Sequence, residues 1–467
     1  MTLRLSTSTL EAIERAGIPV PHYDRAALTP RVLHIGVGGF HRSHLARYID
    51  ELAEAGGGWG IRGIGLLDAD RRIASVLESQ DHLYTLIERD SNGSRPRIVG
   101  SIVDFQLVAG DAAAFAQQVA QPDVAILSMT ITEGGYFLDK PNPTIDAIAT
   151  GLDVRRANGG MPLTILSCDN LPGNGNVARE AVTRICEARS DALLGYVETA
   201  CSFPNSMVDR ITPQTTDADR AFLHDECGLD DGWPVVTELF RQWVLEDSFA
   251  AGRPRFEDVG VLFSDRVHDW ELYKLRMLNA THSCMAYLMA IAGVVYVDEA
   301  VAVPATRQYL ERFLSREAIP TLTEIPGHPA TDYGRTVLGR FQNTGVRDQI
   351  ARLCIDGTAK FPSFLIPTVE RQLELDGPIE CAALALAGWA RYLATVPAAE
   401  RAQDPHGDRA ATFAARSIAD PQAFLEFDLV FTPRLRESSR FRDAFVAASN
   451  ALAERGAIGA MEGLLGS

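Results

Sequence analysis

Four polar side chains of complementary chemistry fall within Trp270–Leu288, WELYKLRMLNATHSCMAYL: Glu271, Lys274, Asn279 and His282. A lysine among apolar neighbours loses solvation, and burial lowers its pKa towards the range of a useful base. An asparagine amide offers fixed donors to a developing oxyanion, and an imidazole can donate or accept beside it. The set therefore suits proton abstraction from a substrate hydroxyl.

The element that must position them contains no breaker and reads as one helix. At about 100° per residue, with Lys274 at zero, Glu271 falls near 60°, His282 near 80° and Asn279 near 140°. All four share one half of the helix. Leu272, Leu275, Met277, Leu278, Met285 and Leu288 supply its apolar surroundings. The competing reading is a structural helix with polar residues at its edge, since structural ion pairs also perturb pKa values.

A second candidate lies near the N-terminus, in RVLHIGVGGFHRSHL. The run 31–35 is strand-like, Gly36, Gly38 and Gly39 make a tight turn, and 43–54 reads as the following helix. Strand, glycine turn and helix start suit a pyrophosphate through close backbone approach and a favourable dipole. The third glycine of GxGxxG is missing, so a plain strand-to-helix turn competes with this reading. A second apolar run, 61–67, ends in Asp68. An acid there accepts hydrogen bonds from an adenosine ribose and repels a 2′-phosphate, which points to NAD rather than NADP. Arg71 and Arg72 pull the other way, and Asp68 could equally cap the helix at 70–80.

The runs 83–89 and 96–105 flank Ser91-Asn92-Gly93-Ser94, a hairpin signal. Strands are expected at 123–129, 162–167 and 193–200. Each ends in a polar stretch: TITEGGY (130–136), CDNLPGN (168–174) and SFPNSMVDR (202–210). Ligands bind beyond the carboxyl ends of such strands, which singles out Asn170 and Asp209; helix capping is the alternative for both.

Composition narrows the classes. The chain has 467 residues, 46% hydrophobic and 22% charged, with a net charge of −17. This is a globular protein of two or three domains that disfavours nucleic acid and anionic membranes. No secretory pattern opens the chain, and the longest apolar run, Cys284–Val297, suits a buried helix better than a membrane span. Seven cysteines without a CxxC pair suit a reducing cytoplasm. His41 and His44 lack a third ligand at metal spacing, so no metal is expected. No GxSxG elbow supports nucleophilic hydrolysis. A Ser8–Glu11 capping pattern opens a short N-terminal helix.

After about Asp265 helical patterns dominate, at 306–314, 347–353, 367–375, 380–393 and 441–455. Segments 327–333 and 398–409 look like loops. Arg352 and Lys360 flank a turn at 354–359, where cations can meet substrate hydroxyls or a carboxylate.

Four stretches together resemble the mannitol dehydrogenase family, the polyol-specific long-chain dehydrogenases: GVGGFHRSH at 36–44, TITEGGY at 130–136, SFPNSMVDRITP at 202–213 and KLRMLNATH at 274–282. The resemblance implies an α/β, Rossmann-type domain over 1–265 and a mostly α-helical substrate domain over 266–467. It implies metal-independent hydride transfer between NAD and a sugar alcohol or its ketose, D-mannitol and D-fructose being the expected pair. Lys274 would be the general base, Asn170 and Asn279 would hold the alkoxide, His282 would bind a hydroxyl and Glu271 would relay the proton. Asp209, Arg352 and Lys360 would line the substrate site, with Gly36, Gly38, Gly39, Phe40, Asp68 and Thr132 on the cofactor. The expected protein is cytoplasmic, a monomer or small homo-oligomer, without nucleic-acid or membrane partners.

Alcohol oxidation needs a base, alkoxide donors and a hydride acceptor, and one lysine with two asparagines can replace the zinc of other polyol dehydrogenases. Two rivals remain. A D-arabinitol dehydrogenase or a reductase of keto-uronic acids would share the architecture, the latter using Arg352 or Lys360 for the carboxylate. A non-catalytic dinucleotide sensor would have no use for Lys274.

Overall fold

A computed structural model describes residues 2–138 and 141–466. The chain forms two compact units, one up to His268 and the other from Asp269 onward.

The first unit is built on a six-stranded parallel sheet. Its strands are β1 (Thr29–Ile35), β2 (Trp59–Gly65), β3 (Ile102–Leu107), β4 (Ile126–Met129), β5 (Leu163–Ser167) and β6 (Cys201–Ser202). Their order is β3-β2-β1-β4-β5-β6, so the direction of winding reverses between β1 and β4. This is the Rossmann order, and its reversal opens a crevice at the strand ends. Strands covered on both faces read as continuous apolar runs. Along β1, Leu33 and Ile35 enter one core with Leu127, Met129 and Ile165; Val32 enters the other with Ile61, Ile126 and Leu45.

Three smaller sheets complete the unit, the least of them pairing Leu3–Arg4 with Leu229–Asp230 in parallel. Tyr84–Asp90 and Gly93–Val99 form the expected hairpin, extended in parallel by Val235–Glu238. The expected single run 96–105 is two strands in different sheets. It breaks at Gly100 and Ser101, where Gly100 N–H donates to Asp50 at 3.0 Å. The third pairs Ser206–Asp209 with Gln242–Leu245, Asp209 opposite Gln242.

One expected strand is a helix. Residues 191–200 form Asp191–Ala200, whose N-terminus is capped by Ser190 accepting from Leu193 N–H at 3.2 Å; only Cys201 and Ser202 reach the sheet. At the N-terminus the reciprocal capping pair is Ser6 with Thr9, ahead of helix Leu10–Arg15.

The second unit is helical among its described residues. Helix Glu380–Thr395 is its buried axis, packed on Ala280–Ile291 and Ser439–Leu465. The first of these approaches is close because Gly388 has no side chain: a Cβ there would stand 2.6 Å from Leu288 Cδ2. Two expected loops are shorter than anticipated, since helices begin at Ala330 and Gly407.

Candidate active site

The first unit carries the glycine turn at the end of β1. Gly36 has φ of +88°, and a Cβ there would lie 2.3 Å from the Thr130 carbonyl oxygen. Only glycine fits, because the turn must pass hard against the end of β4. Gly38 and Gly39 carry no such demand; they start the helix Gly39–Ser43 that contains Phe40. Thr130 Oγ1 donates to the Gly36 carbonyl at 2.7 Å, which ties turn and strand end together. Beneath them lies His34, bonded through Nδ1 to Ser128 and stacked on His41 at 3.4 Å. Burial pushes His34 down to about 3 and His41 well below its ordinary value, so both rings are neutral. His44 is likewise held at about 3 and bonds Gln242 O. These histidines pack an interior, and no group of ligands able to hold a metal occurs among the described residues.

Asp68 lies three residues beyond the end of β2, in the turn Asp68–Asp70, with its side chain 85% exposed and paired to Arg71 at 2.9 Å. Arg72 lies over the Trp233 ring at 4.5 Å. Both arginines therefore have engagements of their own.

At the ends of β4 and β5 stands a residue that sequence reasoning passed over. Asp169, beside the exposed Asn170, is 7% exposed. Its Oδ1 accepts from Thr132 N–H at 2.8 Å; its Oδ2 accepts from Ile131 N–H at 3.0 Å and from Tyr136 Oη at 2.6 Å. Burial raises its pKa, against the lowering effect of those three donors. The loop it holds is strained. Thr132 has φ of +63° and ψ of 170°, a region essentially reserved for glycine.

Asn174 joins this corner to the next. Its amide nitrogen donates to the carbonyls of Ser167, Asp169 and Ser206, and its oxygen accepts from Ser206 N–H. Ser206 begins the strand that ends in buried Asp209. The neighbouring Arg210 is buried and bonds the Ser43 and Glu238 carbonyls and the Glu88 carboxylate. Thr212 meets Ser43 at 2.8 Å, so the stretch carrying Asp209 is anchored to the glycine-turn helix. Within this unit the structure thus links the surroundings of Gly36, Thr132, Asn170 and Asp209 through one network.

In the second unit the expected helix is not uniform. Glu271 lies in Val267–Tyr273, Lys274–Asn279 is a π-helical turn, and Ala280–Ile291 carries His282. Ala280 N–H reaches back five residues to the Leu275 carbonyl. A hydrogen-bonded step of five instead of four absorbs one residue, so Asn279 moves from about 140° to about 40° from Lys274. His282 then stands near −20°, while Glu271 keeps its place near 60°. Four groups expected across half the helix occupy a stripe of about 80°. The wide turn is what aligns them.

Glu271 is buried; Lys274, Asn279 and His282 are half-buried. The His282 ring stacks on Phe341 at 4.2 Å and 22°. Its Nε2 is buried without a hydrogen-bond partner among the described residues. Burial, reinforced by Arg352, Arg340 and Lys360 against Asp348, lowers its pKa to about 3. The ring is neutral, so it cannot depress the lysine's pKa as a protonated neighbour would.

Arg352 donates to Asp348 through Nε at 2.6 Å and also through Nη2. Lys360 Nζ donates to Leu353 O at 3.1 Å, and burial lowers its pKa. Sequence reasoning named both cations but missed Asp348, which precedes the helix Ile350–Leu353, although its spacing of four from Arg352 within the expected helix 347–353 was visible. Phe341 left no such signal.

The description "Mannitol dehydrogenase Rossmann domain" matches residues 30–258, and "Mannitol dehydrogenase C-terminal domain" matches 266–453. The mannitol 2-dehydrogenase of Phaeosphaeria nodorum is 38% identical over 94% of this chain and 82% of its own. Mannitol dehydrogenase 2 of Saccharomyces cerevisiae is 35% identical over 99% and 97%. Among solved structures, the ternary complex of Pseudomonas fluorescens mannitol 2-dehydrogenase with NAD and D-mannitol superposes with a TM-score of 0.89, at 36% identity over 100% of both chains. A D-sorbitol dehydrogenase in substrate-free form also gives 0.89, at 32% identity over 98% and 100%.

Proposed function

The chain belongs to the mannitol dehydrogenase family, and on that premise we propose that it oxidises a sugar alcohol to its ketose with NAD, D-mannitol to D-fructose first, and runs the reverse reduction. The observation that carries this reading is the narrow stripe of Glu271, Lys274, Asn279 and His282 created by the π turn. A base, an alkoxide donor and a neutral hydroxyl-binding ring within about 60° of one another suit one secondary alcohol.

NAD supplies the hydride acceptor. The residues fit it: Gly36 leaves room for close backbone approach, the sheet reverses at β1 and β4, and Asp68 follows β2 as a ribose partner. Gly38, Gly39, Phe40 and Thr132 complete the cofactor side. Asp68 neutralises the neighbouring Arg71 and Arg72 lies on Trp233, so neither arginine stands free for a 2′-phosphate, which supports NAD over NADP.

Lys274 takes the hydroxyl proton as carbon loses hydride, and Glu271 passes that proton on. The amides of Asn170 and Asn279 donate to the oxygen as negative charge develops there. Neutral His282 donates to or accepts from the reacting or neighbouring hydroxyl. Asp209, Arg352 and Lys360 bind the remaining hydroxyls. A lysine base with two amide donors needs no metal to activate the alcohol. The Asp348 carboxylate already engages the Arg352 fork, which withdraws Arg352 from a keto-uronate carboxylate and leaves the discrimination to Lys360.

The likeness to a D-sorbitol dehydrogenase favours one further reading, oxidation of the polyol epimeric at C2. Initial rates with mannitol, sorbitol, arabinitol and fructuronate, each with NAD and NADP, decide. The highest kcat/KM is expected with mannitol and NAD; a preference for fructuronate or for NADP overturns the assignment. The free cysteines of the described residues support a reducing cytoplasm, and no described helix is long and apolar enough to cross a membrane. A monomer or small homo-oligomer remains the expected state.

A further inference from the structure

The buried carboxylate of Asp169 has three donors and belongs to none of the roles above. Two are backbone N–H groups of consecutive residues, Ile131 and Thr132, and the third is the Tyr136 hydroxyl, which also meets Ser167 Oγ at 2.7 Å. The loop between these donors leaves β4 and contains Thr132 at positive φ, where a β-branched residue does not rest unless held. At its other end the loop is pinned by Thr130 to the Gly36 carbonyl. The Asp169 carbonyl accepts from Asn174, so the residue is fixed from its own backbone as well. Its next neighbour is Asn170.

We propose that Asp169 is a positioning residue for hydride transfer: its carboxylate grips the strained loop 131–136 and fixes it against the strand end that presents Asn170. The inference rests on the reading of this site as an NAD-dependent alcohol oxidation site. A carboxylate is the group required, because both oxygens face donors. An asparagine has one acceptor oxygen, so its NH₂ would face either Thr132 N–H or the pair formed by Ile131 N–H and Tyr136. Released on one side, Thr132 can leave its positive φ and carry the loop with it. Asn170 then loses its fixed neighbour.

The test compares wild type, Asp169→Asn and Tyr136→Phe. Initial rates are measured with D-mannitol and with D-mannitol deuterated at the carbon oxidised, and NADH binding is titrated by its fluorescence. Thermal melting and active-site titration give the folded fraction. For Asp169→Asn we expect KM for NAD and the NADH Kd to rise by about 10-fold or more, with a larger deuterium effect on kcat as hydride transfer becomes limiting. A residue that only holds the fold together would lower kcat in proportion to the folded fraction and leave KM and the isotope effect unchanged; that result overturns the proposal. Should Asp169→Asn fail to fold, Tyr136→Phe decides. It removes one of the three donors and should shift KM for NAD by about 2- to 5-fold in the same direction; no shift overturns the proposal. Failure of the underlying reading looks different: wild type would bind NADH and turn over no polyol, and the NADH titration of the variants would still report on Asp169.

Discussion

The two units hold polar groups in place by opposite means. In the first, a loop at the strand ends is tied down by named hydrogen bonds: Thr130 to Gly36, Asp169 to Ile131, Thr132 and Tyr136, Asn174 to three carbonyls. The backbone there takes a positive φ that glycine adopts freely at Gly36 and that a threonine would not choose at Thr132. In the second unit the groups sit on a helix and their alignment is a matter of register. One residue absorbed into a wide turn brings Asn279 and His282 round to Lys274, and packing against Phe341 holds the imidazole. Strained backbone needs local bonds to hold it, and each bond is a separate point of failure. A register needs only a packed helix, and its failures are those of single side chains.

The largest effect is expected where a side chain performs the chemistry. Lys274→Ala should lower kcat for oxidation by about 10²- to 10⁴-fold, the usual worth of a general base, with NADH binding unchanged by fluorescence titration. The pH profile of kcat/KM should lose its single rising ionisation, and small primary amines should restore part of the rate. Near-normal turnover with an unchanged profile would make Lys274–Asn279 a structural turn and would leave the second unit without its base.

Breaking the first unit needs only a methyl group. Gly36→Ala places Cβ against the Thr130 carbonyl and forces alanine to φ of +88°. Moving that turn by an ångström should weaken NADH binding by about 10²-fold, measured by the same titration. Lys274→Ala and Gly36→Ala should thus separate chemistry from binding. Equal NADH affinity in the glycine variant would mean that the turn is not the cofactor's cradle.

How much of this was legible follows the same division. The glycine turn announced itself, because a backbone demand leaves a glycine in the sequence. The parallel sheet announced itself through apolar runs bounded by polar strand ends, and Lys274, Asn279 and His282 through their types. The π turn did not, since KLRMLN contains no glycine or proline and any uniform count of 100° per residue passes through it. Thr132 hid for a related reason: its positive φ is imposed by Asp169, and a threonine does not advertise it. The run LLGYV at 193–197 misled because apolar runs suit a buried strand and a helix alike; Ser190, the cap three residues earlier, was the deciding signal.

Acid should separate the units. His34 and His44 are held at about 3 and His41 well below 6.5, all by burial in the first unit. From pH 6.5 downward the unfolded chain takes up protons that these rings refuse, so folding stability falls as pH falls. At pH 5 the loss is on the order of 2 kcal/mol per imidazole. Asp50, raised to about 6, gives back part of this. In the second unit the loss at His282 is met by Glu317, which burial raises to about 7 and which therefore binds a proton in the folded state before the unfolded chain does. Hydrogen exchange at pH 7 and pH 5, read peptide by peptide, should show opening in the first unit at pH 5 with the second unit nearly unchanged. Uniform opening would remove the assigned burden of the three histidines.

The smallest expected effect tests the register itself. Phe341 touches His282 by stacking at 4.2 Å, and a near-parallel ring contact fixes the plane of the imidazole rather than its charge. Such a pair is worth about 0.5–1.5 kcal/mol, so Phe341→Leu, which keeps most of the volume, should cost about 2- to 10-fold in kcat/KM for mannitol. Because His282 is neutral throughout the working range, with its pKa near 3, the loss should be the same at pH 6 and pH 9. The ionisation assigned to Lys274 should stay where it is. KM for NAD should not move, since the loss lies in the hydroxyl contact alone. Replacing His282 itself by Asn should likewise leave the shape of the pH profile intact while lowering its height. A new ionisation between pH 6 and pH 8 in Phe341→Leu would show that the stacked ring sets the charge of His282 and not only its plane, and the purely orienting role of Phe341 would have to be given up.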